Sequence, residues 1–375
     1  MPLYQIFYEL IRVALGNAVC LSHTPNTDEW GMLYAMAKKQ SLVGICFAGV
    51  QKLQAQQQCP PEMLYLQWMG MTAKIQQRNE VVNRQTTEVY SRLVADESKA
   101  CVLKGQAMNA LYVSLKGLRQ SGDIDIWMMD EPRKVIDWAR NTGKMHYYDY
   151  HHADISIFND TEVEVHYRPS ISRNLIRNSR LQEWLQTEGV KHVCYDEALG
   201  FAVPDYTFNV ILTLNHNFWH LMYEGVGMRQ FLDLYFVLRS KNENTSKGSA
   251  QADDENLLNL LKRLKLLRFV SACMWVMKEV FRLEDEYLIC KPEETRGKAL
   301  LAEIMLASNF GHHDERLNDN RYKTSRLGLM LAWMKHNLRF FWQYPEDVFW
   351  TPIGILRISL WRHWHYRNEM DLKNK

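Results

Sequence analysis

The stretch LKGLRQSGDIDIW, residues 115–127, decides the fold because it opens a strand with two carboxylates. Successive side chains of a strand point to opposite faces, so Asp123 and Asp125 would share one face while Ile124 turns into the core. Two carboxylates this close repel each other, and either a proton or a divalent cation relieves the repulsion. Oxygen ligands of this kind suit Mg²⁺, although Gly-Asp is also ordinary turn chemistry at a strand entrance.

A second acidic position lies in a strand predicted over residues 162–168. Glu164 stands between Val163 and Val165, so alternation turns it away from the buried valines. A charge in that position needs solvent or a partner. If this strand lies beside the first, Glu164 can join Asp123 and Asp125 as a third carboxylate. Asp154, on the preceding predicted strand, competes for that role, and Glu162 shares the same face as Glu164.

A glycine between a short apolar run and a helix gives a third feature. Lys104-Gly105 follows Cys101-Val102-Leu103 and precedes a helix predicted from Gln106 to Leu115. Glycine lets a phosphate approach the backbone, and a helix N-terminus offers unpaired N–H groups to an anion. The chain contains neither GxxxxGK[ST] nor a strand-linked GxGxxG, which excludes the P-loop and dinucleotide-binding fingerprints.

The changing periodicity of the chain predicts an α+β fold in three regions. Residues 1–98 show helical spacing, with one apolar stripe running from Trp68 to Leu93. Residues 99–170 alternate strands and helices, which indicates a small mixed sheet. Residues 171–375 return to helical spacing, and a polar stretch at about 241–254 predicts a mobile loop. Length is consistent with this division, since 375 residues suffice for two or three domains.

Composition narrows the class of protein. Hydrophobic residues make up 47% and charged residues 23%, and the net charge of +2 argues against a surface that binds nucleic acid everywhere. Seven cysteines without regular spacing favour a reducing cytoplasm. The N-terminus has no secretory pattern, and no segment reaches the roughly 18 apolar residues of a membrane helix. We therefore expect a cytoplasmic protein without integral membrane insertion.

These motifs resemble the nucleotidyltransferase superfamily of the DNA polymerase beta type. The resemblance is closest to a poorly characterised branch with the pattern KG…RxSGDxD…vD/ElHwR, and it covers roughly residues 30–240. The matching positions are Lys104, Gly105, Arg119, Ser121, Gly122, Asp123, Asp125 and the strand 163–168, with a C-terminal signature from Pro204 to Asp233. Three departures are present: Gln106 follows the glycine, the gap from Gly105 to Asp123 is long, and Glu164 replaces the commoner Asp.

The resemblance implies an enzyme that moves a nucleoside monophosphate from ATP or another NTP to a hydroxyl or phosphate acceptor. Asp123, Asp125 and Glu164 would be the catalytic metal ligands, for two Mg²⁺ ions or for Mn²⁺. Glu164 would either bind the second ion or accept the proton of the acceptor. The nucleotide would contact Lys104, Gly105, Arg119, Ser121, Gly122 and Arg168. The acceptor can be a small molecule, a protein or an RNA end. The alternative is a non-catalytic nucleotide sensor or an interaction scaffold with the same fold, and hydrolysis or phosphotransfer at the same site is a further rival.

Other polar residues allow simpler interpretations. Arg119 and Arg168 can contact phosphate, neutralise the carboxylates or lie on the surface, and Arg229 is expected to pair with Asp233 one helical turn away. His216 and His220 lack the glutamate of an HExxH motif, which favours core or cleft histidines. The adjacent pairs His151-His152 and His312-His313 should diverge.

The C-terminal region, residues 333–367, is rich in Trp, Phe, Arg and His. Such a composition favours packing of a helical domain first. Contact with a membrane surface or an acidic substrate is the alternative.

Overall fold

The computed structural model describes residues 2–243, 250–307 and 326–373. Four helices begin the chain, as the apolar spacing predicted. They are α1 (Pro2–Leu15), α2 (Thr27–Lys39), α3 (Val43–Leu53) and α4 (Glu62–Ala95). Helix α2 begins with a capping box, in which Asn26 accepts from the Glu29 amide and the Glu29 side chain accepts from the Asn26 amide.

Helix α4 connects two hydrophobic cores. Its predicted stripe is buried, and Trp68 and Ile75 pack in a core made of helices. Val82, Val89 and Leu93, farther along the same helix, pack in a second core against the sheet. A helix of 34 residues is about 50 Å long, which is enough to reach across both cores. The stripe is therefore a structural spine and not a ligand site.

The central sheet has five strands in the order β1-β2-β5-β4-β3. The strands are β1 (Ala100–Leu103), β2 (Ile124–Met128), β3 (Lys144–Tyr148), β4 (His152–Ser156) and β5 (Val163–His166), with helices α5 (Gly105–Ala110) and α6 (Pro132–Thr142) between them. Strands β2 and β5 pair in parallel, whereas the other neighbours are antiparallel. The mixed sheet confirms the α+β fold class.

Helices form most of the remaining chain. They are α7 (Leu175–Thr187), α8 (Tyr206–Tyr223), α9 (Met228–Arg239), α10 (Ala250–Arg263), α11 (Leu267–Val276), α12 (Glu294–Ala307), α13 (Arg326–Leu338) and α14 (Pro345–Lys373). Apolar residues at helical spacing continue through residues 255–282 and indicate one helix, but Lys265 adopts a φ of +55° and separates α10 from α11. Helix α10 also begins inside the loop predicted at 241–254, of which residues 244–249 lie outside the described residues.

The expectation of an all-helical chain after Pro169 was wrong. Strands β6 (Val193–Asp196) and β7 (Phe201–Pro204) form an antiparallel hairpin beside β1. The Asp196 side chain accepts hydrogen bonds from the amides of Ala198 and Leu199 and so closes the turn. Four-residue strands are too short for a period of two to stand out in the sequence.

The two ends of the chain share one hydrophobic core. The helical core extends from Ile6 in α1 to Val348 in α14. Arg12 donates from Nε to the Val280 carbonyl at 3.0 Å, which ties α1 to the turn after α11. The division into regions 1–98, 99–170 and 171–375 stays a prediction. Among the described helices, none combines the length and apolarity needed to cross a bilayer.

Candidate active site

The sheet register brings the predicted carboxylates together. Asp125 of β2 pairs directly with Glu164 of β5, and Glu164 pairs in turn with Asp154 of β4. Residues paired across adjacent strands point to the same face. The neighbouring Ile124, Ile126, Val163, Val165, Ala153 and Ile155 are fully buried on the opposite face. Three acidic side chains therefore form one row across three strands.

His166 completes the densest part of this row. One ligand atom each of Asp125, Glu164 and His166 lies within 4.8 Å of the others. His166 Nε2 is 2.9 Å from Asp125 Oδ1 and 3.3 Å from Glu164 Oε2. Burial lowers the pKa of His166, but these two carboxylates outweigh that effect and raise it. His152, Asp154 and Glu164 form a second close group in the same row.

Asp123 lies at the solvent-exposed entrance of β2. It is not in either of those close groups, so the described carboxylates do not form a single symmetric trio. The negative charge of Asp125 is the main cause that raises the pKa of Asp123 to about 6, and Glu164 adds to it. A cation near Asp123 would reverse this shift, because it would favour the ionised carboxylate.

Lys104 is the main cation against the acidic row. Its Nζ lies 2.7 Å from Asp125 Oδ1. Burial disfavours the charged amine, but Asp125 and Glu164 outweigh burial and raise the pKa of Lys104. The Asp125 pKa falls well below its usual range because Lys104 and His166 overcome the cost of burial. The site thus holds a buried, ionised Asp125 between the Lys104 amine and the His166 ring.

The backbone between β1 and α5 is strained at Lys104 and not at Gly105. Lys104 has φ +45° and ψ −127°, a conformation that favours glycine. A Cβ on Gly105 would meet only the Asp123 carbonyl at 3.5 Å, an ordinary contact. No described protein atom therefore requires glycine at position 105. The expectation that glycine lets a phosphate approach the backbone there stays a prediction. The Lys104 side chain forms an ion pair with Asp125 from this position.

Arg119 is held by a carboxylate from a distant helix. It is 4% exposed and donates from Nε and Nη2 to the two carboxylate oxygens of Asp233, at 2.7 and 2.9 Å. Tyr112 donates from its hydroxyl to the same carboxylate at 2.7 Å. The sequence predicted Arg229 as the partner of Asp233 and did not predict Arg119 or Tyr112. Phosphate contact by Arg119 stays a prediction, and in this structure Arg119 anchors the loop before β2 to α9.

Two other predicted nucleotide contacts lie apart from the cavity. Arg168 packs its guanidinium over Tyr150, 4.3 Å from the ring centroid, and donates to the Tyr150 carbonyl. The Ser121 hydroxyl is buried without a hydrogen-bond partner among the described residues. Neither residue lines the cavity that contains the acidic row, whereas Gly122 does.

A cavity of about 450 Å³ connects the acidic row to the C-terminal helices. One side is the sheet, with Lys104, Asp125, Glu164 and His166. The other side comes from α8, α9, α13 and α14, and its residues include His216, His220, Glu224, Arg229, Trp333 and Arg362. Asp125 and Glu164 of the acidic row therefore face a partly open cavity between the sheet and the helices.

The C-terminal aromatic region contributes to this cavity by packing. Trp361 meets the rings of Tyr148 and Tyr150 edge to face, at 6.0 and 5.7 Å. Arg362 forms an ion pair with Asp149 at 2.6 Å. Other aromatics of this region remain exposed, such as Trp342 at 86%. Packing is thus observed, and contact with a membrane surface stays a prediction.

The prediction that His151 and His152 diverge was wrong. Their rings meet edge to face with centroids 4.0 Å apart, and one nitrogen of each lies within 4.8 Å of one nitrogen of His166. His151 precedes β4 in a bend, so strict alternation does not apply to it. His312-His313 lies outside the described residues.

A line of side chains on α8 was missed by sequence reasoning. His220 donates from Nδ1 to Glu224 Oε2 at 2.9 Å, and His220 Nε2 is 3.0 Å from His216 Nε2. The spacing of four residues between each pair places all three on one face of the helix. His216 and His220 line the cavity, in agreement with the expectation of core or cleft histidines, whereas the bond to Glu224 was not predicted although its spacing is visible as His-x₃-His-x₃-Glu. We name these three residues the α8 relay.

Comparison with known proteins gives one match. A family model described as "Uncharacterised nucleotidyltransferase" matches residues 26–282. No curated protein and no solved structure matches the chain. The matched range contains the whole sheet, the acidic row and the α8 relay. Because the match spans more than half of the chain, the protein belongs to this family of nucleotidyltransferases, which are transferases of phosphorus-containing groups.

Proposed function

We propose that this protein acts in the cytoplasm, where it transfers a nucleoside monophosphate from an NTP to an acceptor and releases pyrophosphate. The observation that carries the proposal is the direct pairing of Asp125 with Glu164 at the wall of a cavity that Asp123 also lines. Family membership supplies the reaction class. The arrangement supplies the residues that would perform it.

The donor set suits divalent cations. Asp123, Asp125 and Glu164 offer hard carboxylate oxygens. The negative charges of Asp125 and Glu164 raise the pKa of Asp123, and a divalent cation bound there would relieve this repulsion. Mg²⁺ or Mn²⁺ held there would neutralise phosphate oxygens of the nucleotide. Lys104 and His166 already occupy Asp125 Oδ1, so Oδ2 is the oxygen of Asp125 available to a cation.

The triphosphate would lie along the β1–α5 turn. Lys104 would contact phosphate oxygens together with the backbone at Gly105 and Gly122, all three of which line the cavity. The acceptor would then enter from the side of α8 and α14. Ligands commonly bind where two structural layers meet, as the sheet and the helices do here.

The test is incubation of the protein with α-labelled NTPs, Mg²⁺ and a panel of acceptors. Pyrophosphate release that is lost in Asp123→Asn/Asp125→Asn supports nucleotidyl transfer. Release of orthophosphate instead would identify hydrolysis or phosphotransfer. NTP binding with no release of pyrophosphate for any acceptor would contradict the proposal and favour a nucleotide sensor. Asp130→Asn is a suitable control, because Asp130 pairs with Lys134 outside the cavity.

A further inference from the structure

The α8 relay fixes the protonation of its histidines. Glu224 can only accept when ionised, so His220 must carry a proton on Nδ1. In a neutral His220, Nε2 is then an acceptor, and His216 must donate to it from its own Nε2. The remaining nitrogen of His216, Nδ1, consequently has a lone pair. No described residue forms a hydrogen bond with this Nδ1, and His216 lines the cavity.

We propose that His216 is the general base of the reaction and that the acceptor is a hydroxyl group. This inference rests on the proposed nucleotidyl transfer. A phosphate acceptor is already ionised at neutral pH and needs no base, whereas an alcohol or water must lose a proton as it attacks. A relay that ends in an unprotonated nitrogen of a cavity-lining residue serves the second kind of acceptor.

The chemical step balances within the site. The hydroxyl proton passes to His216 Nδ1 as the hydroxyl oxygen forms a bond to the α-phosphorus of the NTP. The bond from that phosphorus to the bridging oxygen breaks, and its electron pair leaves with pyrophosphate. The imidazolium of His216 donates through His220 to Glu224, whose negative charge stabilises it until the proton returns to solvent.

The charges around His216 agree with a neutral base. Burial is the largest cause that holds the pKa of His216 well below its usual value, followed by Lys104 and His220. Asp125 opposes this shift, and Arg229 of α9 adds to it. Glu224, which is half-exposed, has a lowered pKa because its bond to His220 outweighs burial, and Arg173 favours the same ionised form.

The first measurement requires no catalysis. In protein labelled with ¹⁵N-histidine, the two imidazoles should appear as the Nε2–H tautomer for His216 and the Nδ1–H tautomer for His220. His216→Gln and His220→Gln assign the signals. Glu224→Gln retains an acceptor but removes the charge, so it should keep these tautomers. An Nδ1–H tautomer at His216 would overturn the proposal, because the base would then have no lone pair toward the cavity.

The second measurement compares acceptors. Pyrophosphate release from ATP with Mg²⁺ is followed with water or glycerol as hydroxyl probes and with inorganic phosphate as the other class. His216→Gln should slow release onto the hydroxyl probes roughly 100- to 10,000-fold and remove the acidic limb of their pH–rate profile. Transfer to inorganic phosphate, where detectable, should change little. Glu224→Gln should slow the hydroxyl reaction less and shift the same limb.

The two failures are distinguishable. If the wild-type protein releases no pyrophosphate with any probe, nucleotidyl transfer itself is contradicted. If the wild type is active and His216→Gln retains its rate and pH profile with hydroxyl probes, only the base role is wrong. Equal slowing with both acceptor classes would also overturn that role, since it would indicate a structural effect.

Discussion

The two walls of the cavity carry charge in different ways. The sheet wall holds Asp125 and Glu164 beside Lys104 and His166, so that buried charges of both signs balance one another. The helix wall holds the α8 relay, in which two imidazole rings connect one half-exposed carboxylate to the cavity. A balanced set of charges suits phosphates and cations, whereas a relay of imidazole rings suits proton transfer. Substitutions on the two walls should therefore have different effects on the reaction and on stability.

The largest effect is expected from Asp125→Asn on the sheet wall. The amide would leave the cationic Lys104 and His166 without their shared partner, at a cost of about 3 kcal/mol in the free energy of unfolding. Pyrophosphate release should fall by about three orders of magnitude, since several kcal/mol of transition-state stabilisation are lost. Urea unfolding and the labelled-NTP assay measure the two effects. A variant that keeps its rate would contradict the role of the sheet wall.

Asp233→Asn should lower the free energy of unfolding by a comparable amount. It removes none of the proposed metal ligands. Arg119 would remain buried without its carboxylate, which costs roughly 3 kcal/mol. The pKa of Asp233 is lowered because Arg119 outweighs burial, so its contribution is present above the ordinary Asp pKa of about 3.9 and is lost as pH falls below that value. The stability difference from wild type should therefore be constant above about pH 5 and shrink as the pH falls below about 4. A pH-independent difference would mean that packing, and not charge, stabilises the pair.

Glu164→Gln and Asp154→Asn decide which residue is the third carboxylate. Both lie in the acidic row, but only Glu164 is close to Asp125 as well as His166. We expect Glu164→Gln to reduce pyrophosphate release by about 100-fold and to weaken the response to Mg²⁺. Asp154→Asn is the matched control and should reduce release by less than about tenfold. The reverse order of effects would assign the role to Asp154.

The smallest effect is expected at the junction between α14 and the loop after β5. A Cβ on Gly354 would lie 2.5 Å from the Arg173 carbonyl oxygen and 2.6 Å from the Arg173 Cβ. Gly354→Ala should therefore move α14 and cost about 1–3 kcal/mol of overpacking. Because α14 also supplies Arg362 to the cavity, the KM for the acceptor should rise more than kcat falls. Gly31→Ala, with open space around its Cβ, is the control.

Local patterns predicted most of the elements that build the site. The alternation around Asp125 and Glu164 identified which side chains leave the core, because burial of Ile124 and Val163 on one face forces their neighbours to the other. Lys104 was located by the change from an apolar strand to a helix. The helices of the C-terminal part followed from apolar spacing, although the break at Lys265 did not, because a single positive φ has no strong sequence signal there.

Contacts between distant segments escaped prediction. Arg119 and Asp233 are 114 residues apart, and nothing in either local pattern selects the other. The α8 relay was missed for another reason. Its spacing was visible, but only the geometry shows that His216 reaches the same cavity as Lys104.

By itself, the sequence determined which residues are acidic, which alternate with buried apolar residues and where helices begin. These properties depend on neighbours within a few positions along the chain. The tertiary structure alone decided that β5 inserts between β2 and β4, that Asp125 meets Glu164, and that the α8 relay faces them across one cavity. The physical reason is that strand order and the docking of helices depend on burying apolar surface over the whole chain, which no short segment encodes.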